Sequence, residues 1–190
     1  MKTTSVMIVG VGGQGSLLAS RLLGTLLTDE GYDVKVSEVH GMSQRGGSVV
    51  TYVKYGEKVF SPIVDRGEAD FILSFEAIEG ARYIEMLKEG GTLITNTAEI
   101  YPITVITGAM TYPENPTGKL AQKCSVKAVD ALSLAQKAGS DKAVNTVLMG
   151  VLSRYMPEIT EEAWLSAIEK LVKPKFVDLN KQAFLLGKNA

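Results

Sequence analysis

The apolar residues of this 190-residue chain change their spacing repeatedly, and each change marks an element. Ser5-Val6-Met7-Ile8-Val9 is a short continuous run of the kind carried by strands buried on both faces. Behind it comes Gly10-Val11-Gly12-Gly13-Gln14-Gly15, then Leu17, Leu18, Leu22, Leu23, Leu26 and Leu27 at helical spacing, with Gly31 as the stop. Val34, Val36 and Val39 predict a second strand. Val49 to Tyr55 predicts a third, turning through Gly56-Glu57-Lys58 into Val59-Phe60 as a hairpin. Phe71 to Phe75 is another continuous run, followed by a helix over Ala77 to Leu87 that Gly90-Gly91 closes. Thr92 to Asn96 and Ser125 to Val129 predict further strands, on either side of a turn-rich stretch from Tyr101 to Pro116.

Towards the C-terminus the period becomes helical. Leu132 to Ala138 is a short helix, and Val144, Val147, Leu148, Val151, Leu152 and Tyr155 form the inner stripe of another, ended by Pro157. Thr160 is placed to cap a third, with Glu161 and Glu162 in its first turn and Trp164, Ala167, Ile168 and Leu171 facing inward. The lysines beyond it read as a solvated face. Alternating strands and helices predict an α/β fold: a Rossmann-like, mainly parallel sheet flanked by helices, with a β-hairpin, in one domain spanning 1–190.

A chain of this length buries roughly 70% of its unfolded surface and needs no disulfide or metal staple. Its 20 basic and 21 acidic residues leave a net charge of −1, without the basic footprint of a nucleic-acid or acidic-membrane binder, so neither partner is expected. The start Met1-Lys2 ahead of an apolar run imitates a secretion signal, but glycines at 10, 12, 13 and 15 interrupt it, and no stretch reaches the roughly 18 apolar residues of a membrane span. Cys124, the single cysteine, forms no internal disulfide and holds no four-thiolate cluster; it reads as a small hydrophobe in a reducing, cytoplasmic setting.

Candidate chemistry sits in two glycine loops. In a strand-turn-helix, Gly12, Gly13 and Gly15 permit the bend, let backbone N–H groups approach an anion and allow close helix packing, while the helix start favours negative charge. The same glycines also serve a turn that binds nothing. The second loop, Glu38-Val39-His40-Gly41-Met42-Ser43-Gln44-Arg45-Gly46-Gly47-Ser48, gathers carboxylate, imidazole, amide and guanidinium between two strands. If the first and second strands are neighbours, as in a doubly wound sheet, the two loops face each other at the carboxyl edge, where ligands bind. His40, Gln44 and Arg45 would then suit a phosphate, carboxylate or thioester-bearing ligand.

The two loops together resemble the gamma domain of the 2-oxoacid:ferredoxin oxidoreductases, and within that family the beta subunit of indolepyruvate ferredoxin oxidoreductase. Asn145-Thr146-Val147-Leu148-Met149-Gly150 shares the likeness, which covers nearly the whole chain. The resemblance implies an arylpyruvate, coenzyme A and oxidised ferredoxin giving an aryl-acetyl-CoA, carbon dioxide and reduced ferredoxin. It also implies thiamine diphosphate with magnesium, and iron–sulfur clusters. With one cysteine and no Gly-Asp-Gly start of a thiamine-diphosphate motif, this chain is expected to bind none of these alone. They would belong to a larger alpha subunit, with ferredoxin reached through the complex and coenzyme A as co-substrate.

Each site residue carries two readings. Gly12, Gly13, Gln14 and Gly15 present amides to coenzyme A phosphates or to the partner's active-site mouth, with Arg45 as a clamp, or they are packed interface backbone. His40 donates to a substrate carboxylate or thioester oxygen, or bonds its own loop. Glu38 steadies Arg45 or His40, and Asn145 orients the loop or caps its helix. Gly41, Gln44, Gly46 and Gly47 shape the second loop. Two rivals stand beside this: a stand-alone NAD-binding dehydrogenase or sensor, with Glu38, 23 residues past Gly15, on the ribose hydroxyls, and a subunit whose loops meet no ligand. The lack of a separate substrate domain and the glycines where an adenine pocket belongs count against the dehydrogenase.

Overall fold

The computed structural model describes residues 3–40 and 46–190, with His40 described for its backbone alone. Six strands, β1 (Thr4–Val11), β2 (Asp33–His40), β3 (Ser48–Gly56), β4 (Ala69–Ser74), β5 (Leu87–Asn96) and β6 (Ser125–Val129), form one sheet in the order β2-β3-β1-β4-β5-β6. β1, β4, β5 and β6 are mutually parallel, whereas β3 runs antiparallel to both its neighbours, β1 and β2.

Two sequence expectations fail here. A parallel crossover needs a dozen or more residues, and the seven between β2 and β3 permit only a reversal. That reversal makes β2, rather than Val59-Phe60, the hairpin partner of β3, and β3 also takes the place beside β1, so that β1 and β2 are not neighbours. Val59 is instead buried, its N–H donating to Asp33 Oδ2 (2.8 Å), while Phe60 lies in solvent. Since β1 and β2 both oppose β3, they still point the same way. Their carboxyl ends share one edge, about 10 Å apart at two strand spacings.

A third expectation fails at Gly90-Gly91. The helix α2 (Ala77–Arg82) ends before a short 3-10 turn, Ile84–Met86, and the two glycines lie inside β5. There Ala69 pairs with Leu87 but Phe71 with Thr92, so β5 bulges. Gly90 takes φ +77°, and a Cβ on Gly91 would stand 2.9 Å from the Asp70 carbonyl oxygen.

Alternate strand residues feed two cores. Val6, Ile8, Leu73 and Ile94 pack with Leu22, Leu23 and Leu26 of α1 (Ser16–Asp29) and with the later helices α5 (Ala131–Lys137), α6 (Val144–Ser153), α7 (Glu161–Leu171) and α8 (Val177–Lys188). Met7, Val9, Ile72 and Leu93 face the other way, under α2 and α4 (Pro116–Ala121), which the single turn α3 (Ile103–Ile106) precedes in the chain. Trp164 is core as expected, stacked on Phe184 at 5.5 Å, and Thr160 caps α7 through the Ala163 N–H. The sequence reading did not foresee α8. Its lysines are on the solvent side, Lys188 pairing with Glu161 of α7, but Ala183, Phe184 and Gly187 are buried against α6. Among the described residues no helix is long and apolar enough to cross a membrane.

Candidate functional site

The carboxyl edge of the sheet gathers the turns after β1, β4 and β5 and the start of β3. In the turn after β1, Gly13 and Gly15 adopt φ +103° and +87°, which L side chains rarely take. Gln14 folds back: its Oε1 accepts the Val11 N–H (2.7 Å) and its Nε2 donates to the Phe75 carbonyl (3.2 Å) at the end of β4. The side chain is thus a strut within the edge rather than a hook extended from it. Gly12 is also engaged, its N–H donating to the Gly47 carbonyl (2.8 Å) while Gly46 N–H reaches the Gly12 carbonyl (3.4 Å). The glycine turn and the exit of the second loop therefore meet, although one strand lies between β1 and β2.

Helix α1 starts at Gly15 without a side-chain cap. Of its first-turn amides, those of Ser16 and Leu17 have no intrahelical acceptor at the positive end of a fourteen-residue helix, whereas Leu18 N–H reaches the Gly15 carbonyl (3.1 Å). Asn145 is buried behind them, with Nδ2 donating to the Gly15 carbonyl (3.5 Å) and Oδ1 accepting the Thr146 N–H (2.8 Å). Thr146 Oγ1 donates on to Asn180 Oδ1 (2.7 Å), which ties the turn to α8.

Two clefts open on either side of this turn. One, of about 430 Å³, is lined by Gly12, Gly13, Gly15, Leu17, Glu38 and Val49. The other, of about 610 Å³, has Gly13, Gln14 and Gly15 on one wall, Ala98, Glu99 and Ile100 on a second, and Asp141, Lys142 and Val144 on a third. The structure thus brings together Gly12, Gly13, Gly15 and Glu38, joins Gly46 and Gly47 to them through backbone, and sets Asn145 beneath. Gly41, Gln44 and Arg45 lie outside the described residues, as does the His40 side chain.

Three residues at this edge escaped the sequence reading. Asn96, the last residue of β5, donates through Nδ2 to the same Phe75 carbonyl (3.3 Å) and accepts the Ala131 N–H (3.2 Å). Glu76, 1% exposed, caps α2 by accepting the Glu79 N–H (3.0 Å); its other oxygen accepts the Tyr112 hydroxyl (2.5 Å) and the Ile100 N–H (3.4 Å). Burial and this carboxylate push the Tyr112 phenol well above its ordinary range, keeping it a donor. Glu79, also buried, accepts the Ser48 hydroxyl (2.5 Å) and the Arg82 Nε–H (3.2 Å), gripping the first residue of β3. The available signal was position: Glu76 and Asn96 each stand at or just past the end of a predicted strand, on the ligand-binding edge.

Among the described residues no group of three His, Cys, Asp or Glu side chains is arranged for a metal ion. Burial pushes the Cys124 thiol up, away from the reactive thiolate. Among the described residues the edge supplies the helix-start amides, one lysine (Lys142) and three carboxylates (Glu38, Glu99 and Asp141), so any anion held here would rely on backbone amides more than on side-chain charge.

The family model described as pyruvate ferredoxin/flavodoxin oxidoreductase matches residues 5–190. The chain is 45% identical to the indolepyruvate oxidoreductase subunit IorB of Thermococcus kodakarensis, over 100% of its own length and 96% of the relative's. It is 44% identical to IorB of Pyrococcus horikoshii, with the same coverage. The solved gamma subunit of a keto/oxoacid ferredoxin oxidoreductase from Geobacter sulfurreducens has the same fold, with a TM-score of 0.73 over 98% of this chain and 96% of that one at 23% identity. The nicotinamide alternative finds no support in these likenesses, and β3 occupies the place beside β1 where its ribose-binding strand would lie. This chain belongs to the pyruvate ferredoxin/flavodoxin oxidoreductase family, as a small subunit of an oxidoreductase complex.

Proposed function

We propose that this chain is the small subunit of a cytoplasmic indolepyruvate or related arylpyruvate ferredoxin oxidoreductase, inactive alone and completed by a larger alpha subunit. The complex would convert an arylpyruvate and coenzyme A to the aryl-acetyl-CoA and carbon dioxide, passing two electrons singly to ferredoxin. Thiamine diphosphate with magnesium would supply carbanion stabilisation, and iron–sulfur clusters the electron path. A chain with one cysteine does not fit the clusters, and one without the Gly-Asp-Gly start of a thiamine-diphosphate motif does not fit that cofactor, so both belong to the partner in this reading. The observation that carries it is the likeness to IorB along the full chain length.

The site geometry supports a role for the glycine turn at the coenzyme A phosphates: Gly13 and the start of α1 offer backbone amides, and Lys142 adds a positive charge across the wider cleft, beside the carboxylates of Asp141 and Glu99. Gly12 and Gln14 act behind that surface, through the bonds described above. Arg45 and His40 remain candidates for the phosphate clamp and for a donor to the substrate carboxylate or thioester oxygen, with Glu38 as their support. A partner is also favoured by Ile100–Pro113, fourteen residues without a charge, in which Tyr101, Ile103, Ile106 and Met110 are 51–70% exposed.

Anaerobic purification of the chain from its native extract tests the proposal. The expected eluate holds a larger partner, iron and thiamine diphosphate, and reduces ferredoxin with arylpyruvate only when coenzyme A is present. Recovery of the chain alone, free of iron and thiamine, would overturn it.

A further inference from the structure

The outer wall of the wider cleft, Ala98 to Ile100, begins the long connection from β5 to α4. Little of its own substance holds this connection down. Thr97 N–H still bonds the Val129 carbonyl (3.0 Å), but Ile103, Ile106 and Met110 are 64–70% exposed and contribute no buried anchor. The Glu76 carboxylate does the holding. Of its two oxygens one is spent on capping α2, while the other receives the Ile100 N–H from the near end of the connection and the Tyr112 hydroxyl from the far end. The rings of Tyr101 and Tyr112 pack at 4.9 Å, so both ends are gathered over a single oxygen atom. All three donors are neutral, and the carboxyl group they converge on is 1% exposed. Its position one residue past Phe75, whose carbonyl takes the Gln14 strut, sets the wall and the glycine turn on the same short piece of backbone.

We propose that Glu76 is a positioning residue for the coenzyme-A-dependent reaction: by holding Ile100 and Tyr112 it sets the outer wall of the cleft opposite Gly13 and Gly15. The proposal rests on the reading that this cleft takes part of coenzyme A. Glu76 touches no reacting atom; it acts through the wall.

Tyr112→Phe tests this without disturbing the α2 cap, since it keeps the ring and removes only the hydroxyl. In the full-length chain, amide exchange over residues 98–112 is expected to quicken about tenfold, the scale of one lost charge-assisted hydrogen bond. In the purified complex, KM for coenzyme A is expected to rise by about three- to tenfold on the same scale, with kcat and KM for the 2-oxoacid within about twofold. Unchanged exchange would overturn the tether, and faster exchange with an unchanged coenzyme A KM would overturn the positioning role. Gly13→Ala, assayed alongside, separates this from failure of the underlying reading. If it raises KM for coenzyme A while Tyr112→Phe does not, the cleft reading stands and Glu76 is excluded. If neither variant moves that KM, the cleft itself is not a coenzyme A site.

Discussion

Glycine does opposite work in two regions of this subunit. Where α6 crosses α8, Gly150 lies against the backbone of Phe184 and Gly187 against that of Val147; a Cβ at either would overlap the facing carbonyl oxygen, although both glycines have ordinary helical φ. At the turn after β1 no atom of the described residues lies within 4 Å of a Cβ at Gly13, and its φ of +103° is what disfavours a side chain. The first pair serves closeness, and the second position serves a backbone shape that turns amides outward. A glycine by itself therefore says little about ligand binding. Its φ and the room around it together distinguish packing from presentation.

The largest effect is expected at the crossing. Gly150→Ala or Gly187→Ala must push two helices apart in the middle of a core shared with Trp164 and Phe184, and should cost at least ~3 kcal/mol or prevent folding. Urea denaturation of the isolated chain measures this. A loss below ~1 kcal/mol would mean that the helices slide apart freely and that the comparison is wrong on the packing side.

Gly15 combines both constraints, with φ +87° and a Cβ position 2.8 Å from Asn145 Nδ2. Gly15→Ala is expected to cost ~2–3 kcal/mol, part strain and part clash. Adding Asn145→Ala should relieve the clash but not the strain, so a double-mutant cycle ought to give a coupling of ~1 kcal/mol that favours the pair. Additive losses would show that Asn145 does not press on the turn.

Gln14 lies on the packing side of the comparison despite its place inside the glycine run. Gln14→Ala strands the Val11 N–H and removes one of two amide donors on the Phe75 carbonyl, so stability should fall by ~1–2 kcal/mol. Coenzyme A kinetics of the assembled complex should change far less than in Gly13→Ala. An equal change in both variants would return Gln14 to the ligand surface.

This division explains what the sequence disclosed. Patterns carried by consecutive residues were legible: the leucine stripe of α1, the limits of β6, the Thr160 cap, the buried Trp164 and the two glycine loops at one edge of a mainly parallel sheet. Features decided by remote partners were not. The insertion of β3 follows from competition among strands for the place beside β1, and Gly90-Gly91 resembles a helix stop until β4 supplies the register that makes it a bulge. α8 was hidden because its inner face relies on Ala183 and Gly187, small residues whose value appears only against α6. Glu76 reads as an ordinary acidic residue; its partners Ile100 and Tyr112 lie 24 and 36 positions away.

The start of α5, on the same sheet edge as that of α1, gives the smallest and most discriminating contrast. Asp130 caps α5, accepting the Ser133 hydroxyl (2.6 Å) and N–H (3.0 Å), and these bonds hold its carboxyl below the usual range, with Lys137 adding to them. A group whose folded pKa is depressed contributes stability above its unfolded value and loses it as pH falls through the folded one. Wild type should therefore exceed Asp130→Asn by less than about 0.5 kcal/mol near neutrality, because asparagine still caps and the group is exposed. That margin should vanish on acidification through and below the carboxylate range, and coenzyme A kinetics of the complex should not change at any pH. With the Ala131 N–H held by Asn96 and the Ser133 N–H by Asp130, the start of α5 has fewer amides to offer a ligand. α1 begins with a glycine that supplies no side-chain acceptor, so a ligand response in Asp130→Asn would break the distinction between the two.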